Sequence, residues 1–324
     1  MTALLKYPSN ETAQKPVRVL SLCTGIGGDT AAFELTGIAH ETIAVAEFDP
    51  VASAVLEQKF PDIQNIGDIT AIDNWKDYNG KVDILIAGIP CQPYSTAGKQ
   101  KGADDPRDLS LEVCGIVEAV QPACFLFENV PGFETIEDGR PFAAFKERLL
   151  DAGYSVDHRV LDASPFVAQR RARLFLCGHR GAAGTPPGEV LDIARSSIGS
   201  VAPRREKQLQ AAVCFDGGAP VLHPPRLGTI MASGSGMKGP GLTRHELDFL
   251  VVQKFPGAGL VVRRPTPLEG LRAQGFPDTW FDGIEYRRRP LTDNEKYCLI
   301  GNSWPVPVTA SILSAIHRHW LTSD

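Results

Sequence analysis

A cysteine set between two prolines, and a glutamate followed by an asparagine, are the residues of this chain best suited to chemistry. Cys91 stands in Gly88-Ile89-Pro90-Cys91-Gln92-Pro93-Tyr94-Ser95, directly after Val82-Asp83-Ile84-Leu85-Ile86-Ala87, which reads as a buried strand. A thiol is a nucleophile as its thiolate, and the loop past the carboxyl end of a strand is where open α/β sheets carry their chemistry. Pro90 and Pro93 restrict this loop and keep it out of a helix. The residues beyond, Thr96 to Gly102, are small, polar and cationic, the composition of a loop able to close over a polyanion. Glu128 opens Glu128-Asn129-Val130-Pro131-Gly132 at the tip of a second apolar run, Ala123 to Phe127. If the sheet is parallel, that puts a carboxylate at the same edge as Cys91. Taken singly, each feature has a plainer reading, since an isolated cysteine is more often packed than reactive. The rest of the chain decides between them.

Those two loops need a scaffold, and the pattern supplies one. Val17 to Leu22 predicts a strand, Thr24-Gly25-Ile26-Gly27-Gly28-Asp29 a tight glycine turn, and Thr30 to Leu35 a helix ended near Gly37. Strand, glycine turn and helix open a dinucleotide-type fold, in which glycines let a ligand touch backbone. Thr30 stands at the third glycine position, which favours a nucleoside lacking a diphosphate. A second strand, Glu41 to Ala46, ends in Glu47-Phe48-Asp49. An acid about 20 positions after the glycines is placed to hold ribose hydroxyls, with Phe48 against an adenine face. After a helix from Pro50 to Lys59, Asp68 in Gly67-Asp68-Ile69 could accept from an adenine amino group. Helices are predicted over 109–120 and 142–152, and strands over 156–161 and 174–178, the last preceded by Gln169-Arg170-Arg171-Ala172-Arg173. From 180 to about 245 the chain is rich in Gly, Pro, Ser and Arg. A short helix over 271–274, the run Ile300-Gly301-Asn302-Ser303-Trp304 and a last apolar helix over 308–320 complete it.

Composition sets limits. The 324 residues suit one large domain and a smaller one, and 43% hydrophobic with 22% charged residues is ordinary for a globular protein. A formal charge of −5, from 33 basic and 38 acidic residues, argues mildly against nucleic acid as a partner. Distribution counts for more, because basic residues cluster at 170–180, 204–207 and 287–289. Seven scattered cysteines, with no C-x-x-C pair and no histidines at ligand spacing, point to neither a disulfide framework nor a metal site. No apolar run approaches the ~20 residues of a bilayer span, and no signal-peptide pattern is present, so a cytoplasmic, non-membrane protein is expected.

The chain resembles the DNA (cytosine-5)-methyltransferases from about Val17 onward. Thr24 to Gly28, Pro90-Cys91-Gln92, Glu128-Asn129-Val130, Gln169-x-Arg171-x-Arg173 and Gly301-Asn302-Ser303 match that family's motifs in its usual order. The resemblance implies an α/β fold: a Rossmann-like, doubly wound, mostly parallel sheet that binds S-adenosylmethionine, over 1–180 and completed by 301–324. A smaller, loop-rich target-recognition domain would occupy 181–300. It also implies a mechanism. Cytosine C5 is a poor nucleophile, so the Cys91 thiolate would add to C6. Glu128 would protonate or hydrogen-bond N3, which requires it to keep a proton near neutral pH. Asn129 would hold that loop, Arg173 would contact the base, and Arg171 would order the surrounding loop. None of this is reachable inside a duplex, so the cytosine must be flipped out.

For the cofactor, the resemblance assigns Thr24, Gly25, Ile26, Gly27 and Gly28 to the methionine part of the donor. Glu47 would take the ribose, Phe48 the adenine face, and Asp68 with Ile69 the adenine edge. Pro90 adjoins the site, and Asn302 with Ser303 would close it, S-adenosylhomocysteine being the product. Gln92, Ser95, Lys99 and Lys101 would face DNA, with Arg195, Arg204 and Arg205 as candidates for reading it. Ser21 and Cys23 depart from the family, which has an aspartate and an aromatic residue there, so adenine would be stacked from one side.

Double-stranded DNA is therefore the expected partner of a monomeric enzyme. The setting would be the cytoplasm of a prokaryotic or phage-infected cell, with a cognate restriction endonuclease in a restriction-modification pair, or none for an orphan or phage-encoded enzyme. An RNA or tRNA cytosine-5 methyltransferase is the alternative, and a catalytically silent nucleic-acid-binding homologue a weaker one, because Cys91 and Glu128 are both present. A zinc deaminase lacks support, since Tyr94 replaces its second cysteine and no H-x-E occurs. A nicotinamide dehydrogenase explains the first strand, turn and helix but not Cys91, Glu128 and Arg173 together.

Overall fold

In the computed structural model, residues 15–90, 108–181, 184–200, 213–216, 219–222, 251–255 and 259–322 are described. Six strands form one sheet in the order β2-β1-β3-β4-β6-β5. These are β1 (Val17–Leu22), β2 (His40–Ala46), β3 (Ile84–Gly88), β4 (Cys124–Asn129), β5 (Tyr154–Asp162) and β6 (Ala172–Arg180). The pairs β1–β2, β1–β3 and β3–β4 are parallel, whereas β6 runs antiparallel to both β4 and β5. The doubly wound, mostly parallel sheet expected from the pattern is present.

The central strands are apolar over most of their length because both faces are buried. Val17, Val19, Ile84, Ile86, Cys124, Leu126, Phe175 and Cys177 face one layer, while Leu20, Leu22, Leu85, Ala87, Phe125, Phe127, Leu174 and Leu176 face the other. The second layer is covered by α3 (Ser110–Val120) and, beyond the short α4 (Gly132–Thr135), by α5 (Arg140–Asp151). The first is covered by α1 (Gly28–Thr36), α2 (Pro50–Lys59) and α6 (Pro187–Ser200). Short strand pairs follow, β7 (Val213–Asp216) with β8 (Ala219–Leu222), and β9 (Val251–Phe255) with β10 (Gly259–Arg263). The same first layer then takes α7 (Pro267–Gln274) and the helices flanking Trp304, which are α8 (Asp293–Asn302) and α9 (Val306–Ile316). A small hairpin, β11 (Glu285–Tyr286) and β12 (Arg289–Pro290), precedes α8. Trp280 is buried and its Nε1 donates to Ile26 O at 3.1 Å, which ties this late segment to the glycine turn.

Three differences from the sequence reading have physical causes. Strand β4 runs on to Asn129 and β6 starts at Ala172, because antiparallel pairing carries the ladder further, matching Asn129 to Leu174 and Glu128 to Phe175. Helix α7 begins earlier than the hydrophobic pattern indicates and α8 is a helix that the pattern does not indicate, each opened by a reciprocal capping box, Thr266 with Glu269 and Thr292 with Glu295. Finally, one run does reach membrane-spanning length. Asp293–Leu321 covers 29 residues, but 78% of its most apolar window is buried inside the protein, against α1 and α6. Its apolar character reflects burial in the core.

Candidate active site

The parallel strands β1 to β4 end at one edge of the sheet, and their exits wall a cavity of about 490 Å³. That volume lies within the range of small-molecule sites. Glu47 leaves β2 with its carboxylate turned back over the first turn. Gly25 N donates to Glu47 Oε2 at 2.7 Å, and Asp49 N to Oε1 at 2.8 Å. Each oxygen keeps a lone pair for a further donor, so the group can still accept from two adjacent hydroxyls. Burial pushes its carboxyl upward, against those backbone bonds. Phe48 follows with 70% of its surface exposed beside the cavity, a large apolar face with no protein cover. Asp68 also borders the cavity, and its Oδ1 accepts from Thr70 N at 2.9 Å. Ile69 behind it is buried in the core.

The glycine turn splits its duties. Gly25 and Cys23 border the cavity. Thr24 turns inward, with its hydroxyl 2.9 Å from Ser21 Oγ, and the Ile26 carbonyl is taken by Trp280. Gly27 caps α1 in a left-handed conformation. Gly28 faces the C-terminal turn, where a Cβ would lie 3.0 Å from Ser303 Oγ and 3.2 Å from Trp304 Cβ. Gly88, at the end of β3, meets the same tryptophan, with a Cβ position 2.7 Å from Trp304 Nε1. Trp304 is thus wedged between the first residue of α1 and the end of β3, with a side chain at Gly88 colliding with its ring and one at Gly28 crowding it. Cys23 has a left-handed φ of 50° and its thiol is pushed up to about 12 by burial and by Glu47.

Glu128, Arg173 and Arg171 also border the cavity. Because β6 is antiparallel to β4, its first residues lie beside the last residues of β4. Arg173 Nε sits 2.9 Å from Glu128 Oε1, with both side chains about nine-tenths covered. Burial raises the Glu128 carboxyl above its ordinary 4.5, opposed by Arg173 and then Arg171. Arg171 is almost fully buried and donates to Gly301 O at 2.9 Å and Ser303 O at 2.7 Å. It therefore holds the turn that carries Asn302 to the cavity wall. Asn129 Oδ1 accepts from Val130 N at 2.7 Å, which shapes the loop behind Glu128. Ile89 N donates to Glu128 O at 3.2 Å, so the exits of β3 and β4 are bonded together and Pro90 reaches the cavity.

Cys91, Gln92, Ser95, Lys99, Lys101, Arg204 and Arg205 lie outside the described residues. Arg195 is on the exposed side of α6, paired with Asp192 at 3.1 Å and apart from the cavity lining. Sequence reasoning passed over Asp49, Glu295, Cys298 and Leu299, which also border the cavity. Their signals were present: Asp49 precedes Pro50 as a helix cap, and positions 295, 298, 299 and 302 share one face of a helix.

Among the described residues, five carboxylates (Glu47, Asp49, Asp68, Glu128, Glu295) and two guanidiniums border the space. That balance repels a diphosphate and suits a cationic nucleoside. The paired acids, the exposed aromatic face and the backbone of Gly25 fit S-adenosylmethionine, whose sulfonium is positive.

Residues 17–198 match the model of the family C-5 cytosine-specific DNA methylase. The Type II methyltransferase M.SsoII of Shigella sonnei is 30% identical over 335 residues, covering 96% of this chain and 82% of its own. The Type II methyltransferase M.HgiBI of Herpetosiphon aurantiacus is 38% identical over 166 residues, which is 50% of this chain and 37% of that protein. Among solved structures, the Dnmt2 methyltransferase of S. pombe superimposes with a TM-score of 0.65 at 19% identity, over 94% of this chain and 99% of that one. At that identity the likeness is one of fold.

Proposed function

The chain belongs to the C-5 cytosine-specific DNA methylase family as an S-adenosylmethionine-dependent DNA cytosine-5 methyltransferase, and from that premise we propose that it works through a covalent adduct between Cys91 and a flipped-out cytosine. The observation that carries the proposal is the Glu128–Arg173 pair, buried at the sheet edge where β3 delivers Pro90.

The Cys91 thiolate adds to C6, and the ring electrons are drawn toward N3. Glu128, whose carboxyl is raised by burial, presents its proton at N3, while Arg173 fixes the carboxyl and contacts the base. When bound, the donor supplies a methyl cation equivalent from its sulfonium to the electron-rich C5. The C5 proton then leaves to a base, the C5–C6 double bond re-forms as the S–C6 bond breaks and the thiolate is restored, and the N3 proton returns to Glu128. Glu47 holds the ribose, Phe48 and Asp68 the adenine, and Arg171 keeps Asn302 against the donor. Gln92, Ser95, Lys99 and Lys101 contact DNA.

Since α6 and the segment from Arg264 onward bury their apolar faces with β1 and α1, we place base reading within 201–263 of the recognition region, where Arg204 and Arg205 stand. One active site per chain needs no second subunit, so we read the enzyme as a monomer acting on double-stranded DNA, in the cytoplasm of a prokaryotic or phage-infected cell, with or without a cognate endonuclease.

The test is a covalent trap. DNA containing 5-fluorocytosine blocks loss of the C5 substituent, so protein with donor should form a stable complex that Cys91→Ala abolishes. Trapping on the equivalent RNA alone would move the substrate to RNA, and trapping on neither would sink the reading.

A further inference from the structure

Asn65 sits in the link between α2 and Asp68, in none of the motifs discussed above. Its backbone runs beside β2 as an isolated parallel bridge to Val45, with Val45 N donating to Gln64 O at 3.0 Å and Ile66 N to Val45 O at 2.8 Å. Its side-chain amide then takes the main chain of Glu47 from both sides. Glu47 N donates to Asn65 Oδ1 at 3.0 Å, and Asn65 Nδ2 donates to Glu47 O at 3.1 Å. The same Oδ1 accepts from Gly67 N at 3.1 Å, and the same Nδ2 donates to Ser53 Oγ at 3.0 Å. Ser53 passes its own hydroxyl hydrogen to Glu47 O at 3.0 Å. One amide thereby uses both donors and accepts twice, which is its full directional capacity.

The two ends of this network are Glu47 and Gly67, and Gly67 directly precedes Asp68, the second acid assigned to the donor nucleoside. Glu47 is gripped directly. Gly67, at a left-handed φ of 81°, is the residue that turns the chain into Asp68. Glu47 and Asp68 come from separate segments, and Asn65 is bonded to Glu47 itself and to Gly67, the residue directly before Asp68. We propose that Asn65 is a positioning residue for the donor nucleoside, fixing Glu47 and Asp68 relative to each other so that ribose and adenine are met together. The inference rests on the donor-site reading given above. It explains why an amide is needed: aspartate keeps the acceptor but loses both donors, and an aliphatic residue loses all four bonds.

The measurement is calorimetric titration of the full chain with S-adenosylhomocysteine and with its 2′-deoxy analogue. For Asn65→Leu, affinity for S-adenosylhomocysteine should fall about tenfold or more, and the preference over the deoxy analogue should shrink toward that of Glu47→Ala. Asn65→Asp and Ser53→Ala, which remove fewer bonds, should each fall between wild type and Asn65→Leu. At saturating donor, kcat should stay within about twofold and KM for DNA should not move. A purely structural role predicts instead a lower unfolding temperature with equal loss on both ligands and unchanged ribose preference, and that result overturns the proposal, as does wild-type affinity in Asn65→Leu. If Ser53→Ala binds and Asn65→Leu does not fold, the intermediate loss in ribose preference still decides. Should Glu47→Ala itself keep the ribose preference, the donor-site reading falls and the proposal with it.

Discussion

Arg171 and Ser303, 132 positions apart, are joined by a 2.7 Å bond from the guanidinium to the backbone carbonyl, with a second bond to Gly301. One buried cation thus borders the base side of the cavity and holds the turn that closes its donor side. Arg171→Met should cost about 3 kcal/mol of stability, because it strips two carbonyls of a charged donor in the core. It should also weaken donor binding through Asn302. Chemical denaturation and donor titration check the two effects separately, and full donor affinity in a destabilised variant would break the link between them.

Glu128 should govern the alkaline side of the reaction. Burial raises its carboxyl in the folded protein, so the fold binds this proton more tightly than the unfolded chain does. The associated stability is fully present below the unfolded value and is lost as pH rises through the folded one. The protonated form is also the one proposed to serve N3, so kcat should fall on the same rise. Glu128→Gln keeps an N–H donor but no transferable proton, and should lower kcat by about a hundredfold while removing that limb. A pH–rate profile decides, since a limb that survives the substitution belongs to another group.

Phe48 offers a prediction that stability cannot confound. With 70% of its surface exposed it contributes little to the core, so Phe48→Ala should leave the unfolding free energy within about 0.5 kcal/mol. Loss of stacking on adenine should weaken the donor by roughly tenfold. Equilibrium titration beside a denaturation curve gives both numbers.

Trp280 tests how firmly the later part of the chain belongs to the core. Its ring packs near Phe60 and Phe276 under the Lys59 ammonium, and its Nε1 serves the Ile26 carbonyl. Trp280→Phe should cost about 1–3 kcal/mol by orphaning that carbonyl, and Trp280→Ala about 3–5 kcal/mol. A denaturation midpoint unmoved by Trp280→Ala would mean the segment folds apart from the sheet.

The frame was legible because its strands are buried on both faces and therefore read as continuous apolar runs, as at Ile84–Ala87 and Cys124–Phe127. Short motifs gave Glu128 and Arg173. Their meeting depends on β6 running antiparallel, which residue pattern does not encode. Asn65 was invisible because an amide in a loop carries no period, and its partners are revealed only by the path of β2. Arg171's carbonyl partners were hidden by separation along the chain. The capping boxes at Thr266 and Thr292 were readable and were passed over in favour of hydrophobic spacing.

Trp304, lodged against Gly28 and Gly88, also sets a timetable. The glycine turn is synthesised early, yet Trp280 lies 254 residues after its bonding partner Ile26, and the tryptophan that fills the gap comes later still. At about 5–20 residues per second, ribosomal synthesis leaves the first strands waiting on the order of 10–50 seconds for these contacts. Pairing so distant in sequence also forms slowly once it becomes possible. A nascent chain therefore has no closed donor cavity, and methylation begins only after residue 304 has left the ribosome and packed home.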